Sequence, residues 1–184
     1  MFNRSLILAS IVLAPAVAAA SPDYGFELSA GAGAGTMYRD PCGGPFPTTS
    51  PCTVPEARLR GPAANVSAMY GARYRLRNRW GLHWSAGGLA TAMTDSGDTG
   101  TILTGAGAFG VSWDRFSATA VSGLSYLRVR ADGMTTTGAT FMFGGVAGVD
   151  ITPVIGAFAR VDLSAMMEGY IGGASASAGV SFRL

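Results

Sequence analysis

Two side chains two positions apart, His83 and Ser85, carry the most obvious chemistry in this sequence. A serine becomes a nucleophile when a base within hydrogen-bond reach takes its proton and a third group orients that base. In His83-Trp84-Ser85 both polar side chains fall on one side of an extended chain, because successive strand residues alternate. No acidic residue stands where it would supply the third role, so the pair reads as polar interior residues and not as a catalytic centre. Cys42 and Cys52 are the only cysteines, set among Pro41, Pro45, Pro47, Pro51, Pro55 and Pro62. In an exported chain such a pair predicts a disulfide, since two thiols alone do not complete a metal's tetrahedral shell. Asp95-Ser96-Gly97-Asp98 lacks the twelve-residue ligand spacing of a calcium loop and reads as a turn. No metal and no cofactor are expected.

The compartment follows from the first twenty residues. Arg4 gives a positive start, 6–17 is apolar apart from Ser10 and Pro15, and Ala18, Ala19 and Ala20 offer a small-residue cleavage site. This predicts a cleaved signal peptide over 1–20 and a mature chain over 21–184. The mature chain contains no apolar run of about 18 residues, the length a membrane-spanning helix needs.

The composition of the 184 residues excludes several classes: 27 are Gly, none is Lys, and only 13% are charged, against about 25% in ordinary soluble domains. Hydrophobic residues at 48% argue against disorder, and a formal charge of +2 gives no basic face for nucleic acid.

The elements that must position these residues show period-two alternation. In 172–184 one side reads Ala174, Ala176, Ala178, Val180, Phe182, Leu184, and the other Gly173, Ser175, Ser177, Gly179, Ser181, Arg183. Eight such stretches are predicted, at 24–38, 63–76, 80–94, 100–113, 116–130, 138–150, 154–166 and 171–184. Parity is ambiguous in the fourth and fifth, where Leu103, Phe109 and Val121 do not share one side with their neighbours. Short and long connections alternate, which predicts an all-β, up-and-down antiparallel barrel.

A soluble barrel fills its inside with large apolar groups, whereas a membrane barrel turns an apolar band outward and keeps a small or polar interior. Here the polar side is mainly Gly, Ser and Thr. The apolar side ends near the short turns in Tyr24, Phe26, Tyr74, Trp80, Trp84, Trp113, Phe116 and Phe182, a predicted aromatic girdle at one lipid interface. Tyr38, Tyr126 and Phe141 are candidates for the opposite girdle. Glu27, Arg73, Arg75, His83, Arg160, Asp162 and Arg183 then face the lumen, where unpaired charge is costly, and a paired network is expected. Eight strands leave a lumen just wide enough for side chains to fill.

The signal segment, the eight amphipathic stretches, the turn Asp150-Ile151-Thr152-Pro153 and the closing Val180-Ser181-Phe182-Arg183-Leu184 resemble the small eight-stranded outer-membrane barrels. That group contains the opacity proteins and the transmembrane domains of OmpA and OmpX. Such proteins usually end in an aromatic residue; here the aromatic is Phe182 and the terminus is Leu184. The resemblance implies a monomer in a bacterial outer membrane, contacting its lipid and lipopolysaccharide and assembled by the barrel assembly machinery. It implies a structural or surface-interaction role, and the Pro-rich loop 39–62 is the expected place for it, with Phe46 presented at the tip; Arg58 and Arg60 are read either as contacts to anionic lipopolysaccharide or as solvated or lumen-facing residues. Two other readings stay open. One is a narrow, porin-like channel for small or hydrophobic solutes. The other is a lipid A-modifying enzyme, since His83-Trp84-Ser85 is loosely similar to the His-x-Ser element of the outer-membrane lipid A deacylases.

Overall fold

The computed structural model describes residues 22–39, 57–76, 79–131, 133–165 and 171–184. They form eight strands: β1 (Pro22–Arg39), β2 (Ala57–Arg75), β3 (Trp80–Asp95), β4 (Asp98–Trp113), β5 (Phe116–Ala131), β6 (Met134–Asp150), β7 (Ile155–Ala165) and β8 (Ile171–Arg183). Each pairs antiparallel with its successor, and β8 returns to β1, so the sheet is a closed barrel with no exposed edge. The last residues complete the ring. Leu184 N donates to Phe26 O at 2.9 Å, and Phe26 N donates to Leu184 O at 3.2 Å.

β1 and β4 begin two residues earlier than their alternation indicates, and β2 at Ala57 and β6 at Met134 begin six and four residues earlier. Pro62 hides the start of β2, because proline lacks the N–H a central strand needs. It is tolerated because it pairs with Ala34 of β1 while the β2–β3 ladder begins only at Ala63, so no ladder hydrogen bond to β3 is required of it. Arg58 and Arg60 consequently lie on a strand instead of in a loop.

The parity of β4 and β5 is regular. Their residues pair one to one from Thr99↔Arg130 to Trp113↔Phe116, with no bulge. Leu103 and Phe109 point out, whereas Val121 points in and packs with Leu89, Ala106 and Met142. The alternation of direction never breaks. What fails is polarity as a guide to direction, because the lumen also accepts apolar side chains.

One end of the barrel, here the turn end, holds Arg79, the Asp114-Arg115 hairpin turn, the 151–154 connection, and both described chain ends, Pro22 and Leu184. The opposite, loop end has a tight turn at Asp95-Ser96-Gly97-Asp98. There Ser96 and Gly97 have φ of 47° and 100°, the paired positive values of a type I′ hairpin that fits strand twist.

Candidate functional site

The lumen is layered. At the loop end Met37, Leu59, Met93, Ile102, Leu127 and Ile171 are buried together as an apolar cluster. The middle is polar: Asn65 Nδ2 donates to Ser177 Oγ at 2.5 Å, and the Thr104 and Ser125 hydroxyls lie 2.7 Å apart. At the same depth Arg160 Nε donates to Asp162 Oδ2 at 2.6 Å. These two residues are 7% and 6% exposed, so their charges neutralise each other away from bulk water. A second apolar cluster of Leu89, Ala106, Val121 and Met142 abuts this layer.

The turn end carries a ring of four charges. Arg183 forms a bidentate pair with Asp150, Nη1–Oδ2 and Nη2–Oδ1 both at 2.7 Å, and its Nε donates to Glu27 Oε2 at 3.2 Å. Arg73 Nη2 donates to the same Glu27 Oε2 at 3.1 Å, and its Nη1 approaches Asp150 Oδ2 to 3.7 Å. Each carboxylate therefore serves two guanidiniums. Bidentate, charge-assisted geometry makes the Arg183–Asp150 contact the best directed of these.

Glu27, Arg73 and Arg183 thus come together, while Arg160 and Asp162 form a separate, deeper pair. Arg75 stands apart from both. It is exposed at the rim, 3.7 Å from Asp23. His83 Nε2 shares a 2.8 Å hydrogen bond with the Thr119 hydroxyl of β5. The imidazole crosses β4 to do so, over Gly110, where a Cβ would meet the ring nitrogen at 2.4 Å. The ring nitrogen is therefore engaged by Thr119 and not by Ser85.

Asp150 is the ring member that sequence reasoning misses, because it stands where the stretch 138–150 meets the turn 150–153 and reads as a turn residue. Its parity with Gly148 and Val146 was the available signal. Thr119 carried no comparable mark.

From the middle layer past the charge ring to the open turn end runs a cavity of about 640 Å³, lined in part by Glu27, Arg73, Asp150 and Arg183 themselves. Arg160 and Phe158 reach it from β7, and Met69, Leu89, Ala106, Val121 and Val146 form its apolar wall. Leu76, Arg79, Asp114 and Pro153 line it too, so it extends to the turn end. The apolar cluster lies between this cavity and the loop end.

Outside, Tyr24, Phe26, Trp80, Trp84, Trp113, Phe116 and Phe182 are exposed, and Tyr74 is half-buried. Trp113 pairs with both Trp80 and Phe116, and Tyr24 stacks on Tyr70 with centroids 6.4 Å apart. Tyr38, Tyr126 and Phe141 are exposed nearer the loop end. Leu103, Phe109, Leu124, Phe143, Val161 and Leu163 cover the zone between.

No family model and no curated relative matches the chain. Solved structures do. Neisserial surface protein A aligns over 89% of this chain and 99% of its own, with 14% identity and a TM-score of 0.56. The N-terminal β-barrel domain of Pseudomonas aeruginosa OprF aligns over 89% of this chain and 100% of its own, with 14% identity and a TM-score of 0.51. The chain shares their fold. It is an eight-stranded antiparallel β-barrel, as they are.

The signal peptide at 1–20, Cys42 and Cys52, Phe46, and most of the 39–62 segment lie outside the described residues.

Proposed function

We propose that this chain is an integral protein of a bacterial outer membrane with a structural or surface-contact role, and that its lumen is plugged. The observation that carries the reading is the outer surface: a closed barrel whose exposed side chains form an apolar zone with aromatic residues at both margins. In water such a surface would be an aggregation site; in hydrocarbon it is the ordinary one. The turn end faces the periplasm in this orientation, as short connections do in such barrels.

Two features favour surface contact. β1 and β2 are 18 and 19 residues long, whereas about 9–11 tilted residues cross the hydrocarbon. These two strands therefore extend beyond the hydrocarbon as part of the barrel wall at the loop end, with Arg58 and Arg60 exposed on the outer face toward lipopolysaccharide phosphates. The apolar cluster of Met37, Leu59, Met93, Ile102, Leu127 and Ile171 supports a plugged lumen over a conducting one, since an ion would have to displace well-packed side chains. The tie of His83 to Thr119 supports a structural histidine and a chain that is not an enzyme.

Gel mobility after detergent extraction tests the reading. A closed barrel stays folded in cold detergent, so the unboiled protein is expected to migrate differently from the boiled one. Equal mobility together with recovery in the soluble periplasmic fraction would refute it. The lipid face is tested separately by Leu124→Arg. Leu124 is 64% exposed at mid-strand, and the arginine is expected to cost about 2–4 kcal/mol in vesicle unfolding experiments. An unchanged stability would place that face in water.

A further inference from the structure

We propose that the turn-end cavity is a binding site for a small uncharged molecule with an apolar body and one hydrogen-bond acceptor oxygen, which is received by Arg160. This does not depend on the surface-contact role above.

The volume is the first reason. About 640 Å³ falls within the roughly 300–1,000 Å³ of small-molecule pockets, and the cavity is blind, with the loop-end cluster behind it. Its wall is the second. Met69, Leu89, Ala106, Val121 and Val146 present a continuous apolar surface from β2 through β6, opposite Phe158 and Arg160 of β7.

The third reason is an unmet hydrogen bond. Arg160 lines the cavity, is 7% exposed, and spends its Nε on Asp162, while its Nη2 finds no acceptor among the described residues. A buried guanidinium donor without a partner is costly; Nη2 lies just behind the cavity surface, so a small turn of the Arg160 side chain toward an acceptor in the cavity would supply the bond it lacks. Val146 pairs with Arg160 across β6 and β7, so this donor sits directly beside the apolar wall. One ligand reaches both.

Charge selects the class of acceptor. Arg160 is already neutralised by Asp162, and Arg73 and Arg183 are matched by Glu27 and Asp150. An anion on Arg160 would leave unbalanced negative charge beside a buried ion pair, whereas a carbonyl or hydroxyl oxygen satisfies the donor without adding charge. The ring at the mouth, being self-paired, presents neither sign to a molecule passing it.

Benzamide and benzoate test this as an isosteric pair, one neutral and one anionic. The folded barrel in detergent micelles, with labelled methyl groups, is titrated with each and followed by NMR. Benzamide is expected to move the Met69, Leu89, Val121 and Val146 methyl signals saturably, with benzoate at least tenfold weaker. The variant R160M/D162L removes the donor and leaves no orphaned charge; there benzamide is expected to bind about tenfold more weakly. Val121→Phe fills the wall while keeping Arg160 and is expected to abolish the shifts, with cold-gel mobility confirming that each variant is still a barrel. Absence of saturable shifts in the native protein, equal or tighter binding of benzoate, or unchanged binding in the filled variant would each overturn the proposal.

Discussion

Replacing Arg160 with methionine is expected to destabilise the barrel by about 3–5 kcal/mol, the usual result of removing one member of a buried ion pair. The partner left behind decides the size. Asp162 is 6% exposed; its Oδ2 would lose the 2.6 Å bond from Arg160, and its Oδ1 already has no partner among the described residues. That carboxylate fits only because Gly144 stands opposite, where a Cβ would lie 2.2 Å from Oδ1. It cannot swing out to water through the wall. Replacing both residues, Arg160→Met with Asp162→Leu, removes the stranded charge and is expected to restore most of the lost stability. Urea unfolding in lipid vesicles, followed by tryptophan fluorescence, measures both. A single variant as stable as the native chain would show that water or another group already compensates Asp162. At the ring, Arg183→Ala is expected to matter less, because Glu27 and Asp150 are partly open to solvent and Arg73 remains beside both.

Gly33→Ala is expected to be at least as damaging, by a different route. A Cβ at Gly33 would lie 1.9 Å from the carbonyl oxygen of Ala176 on β8 and 2.6 Å from Ser177 Cα. Those atoms are backbone in the ladder that closes the barrel, where Gly33 pairs with Ser177. They can move only if β1 and β8 separate. The expected loss is about 3 kcal/mol or more, the upper range for overpacking, with a smaller folded fraction in the unboiled lane. Gly105→Ala is the matched control. Nothing lies within 4 Å of its Cβ position, so a change within about 0.5 kcal/mol is expected. Equal behaviour of the two variants would mean that the close approach of β1 to β8 is not what holds the seam.

The separate effects at Arg160 and Gly33 reflect two uses of small residues. At Gly33 the absent side chain lets backbones approach, while at Gly110 and Gly144 it makes room for the His83 ring and the Asp162 carboxylate. The abundance of Gly does not tell these apart, since both uses look the same along one strand.

Alternation by itself determined that this chain forms eight amphipathic strands and that its aromatic residues gather near the short turns. Direction alternates with every residue in a strand, whatever the rest of the molecule does. For the same reason Glu27, Arg73, His83, Arg160, Asp162 and Arg183 were legible as lumen residues. Which of them meet was not. Arg73 on β2 approaches Asp150 on β6, strands on opposite sides of the ring, and that contact depends on how the strands are staggered when the barrel closes. The loop-end cluster was hidden likewise: only β5 carries three of its members, Leu127, Val129 and Ala131, while Met37, Leu59, Met93, Ile102 and Ile171 come from β1, β2, β3, β4 and β8. Local periodicity assigns a side chain to a face; only the closed and staggered barrel assigns it a partner.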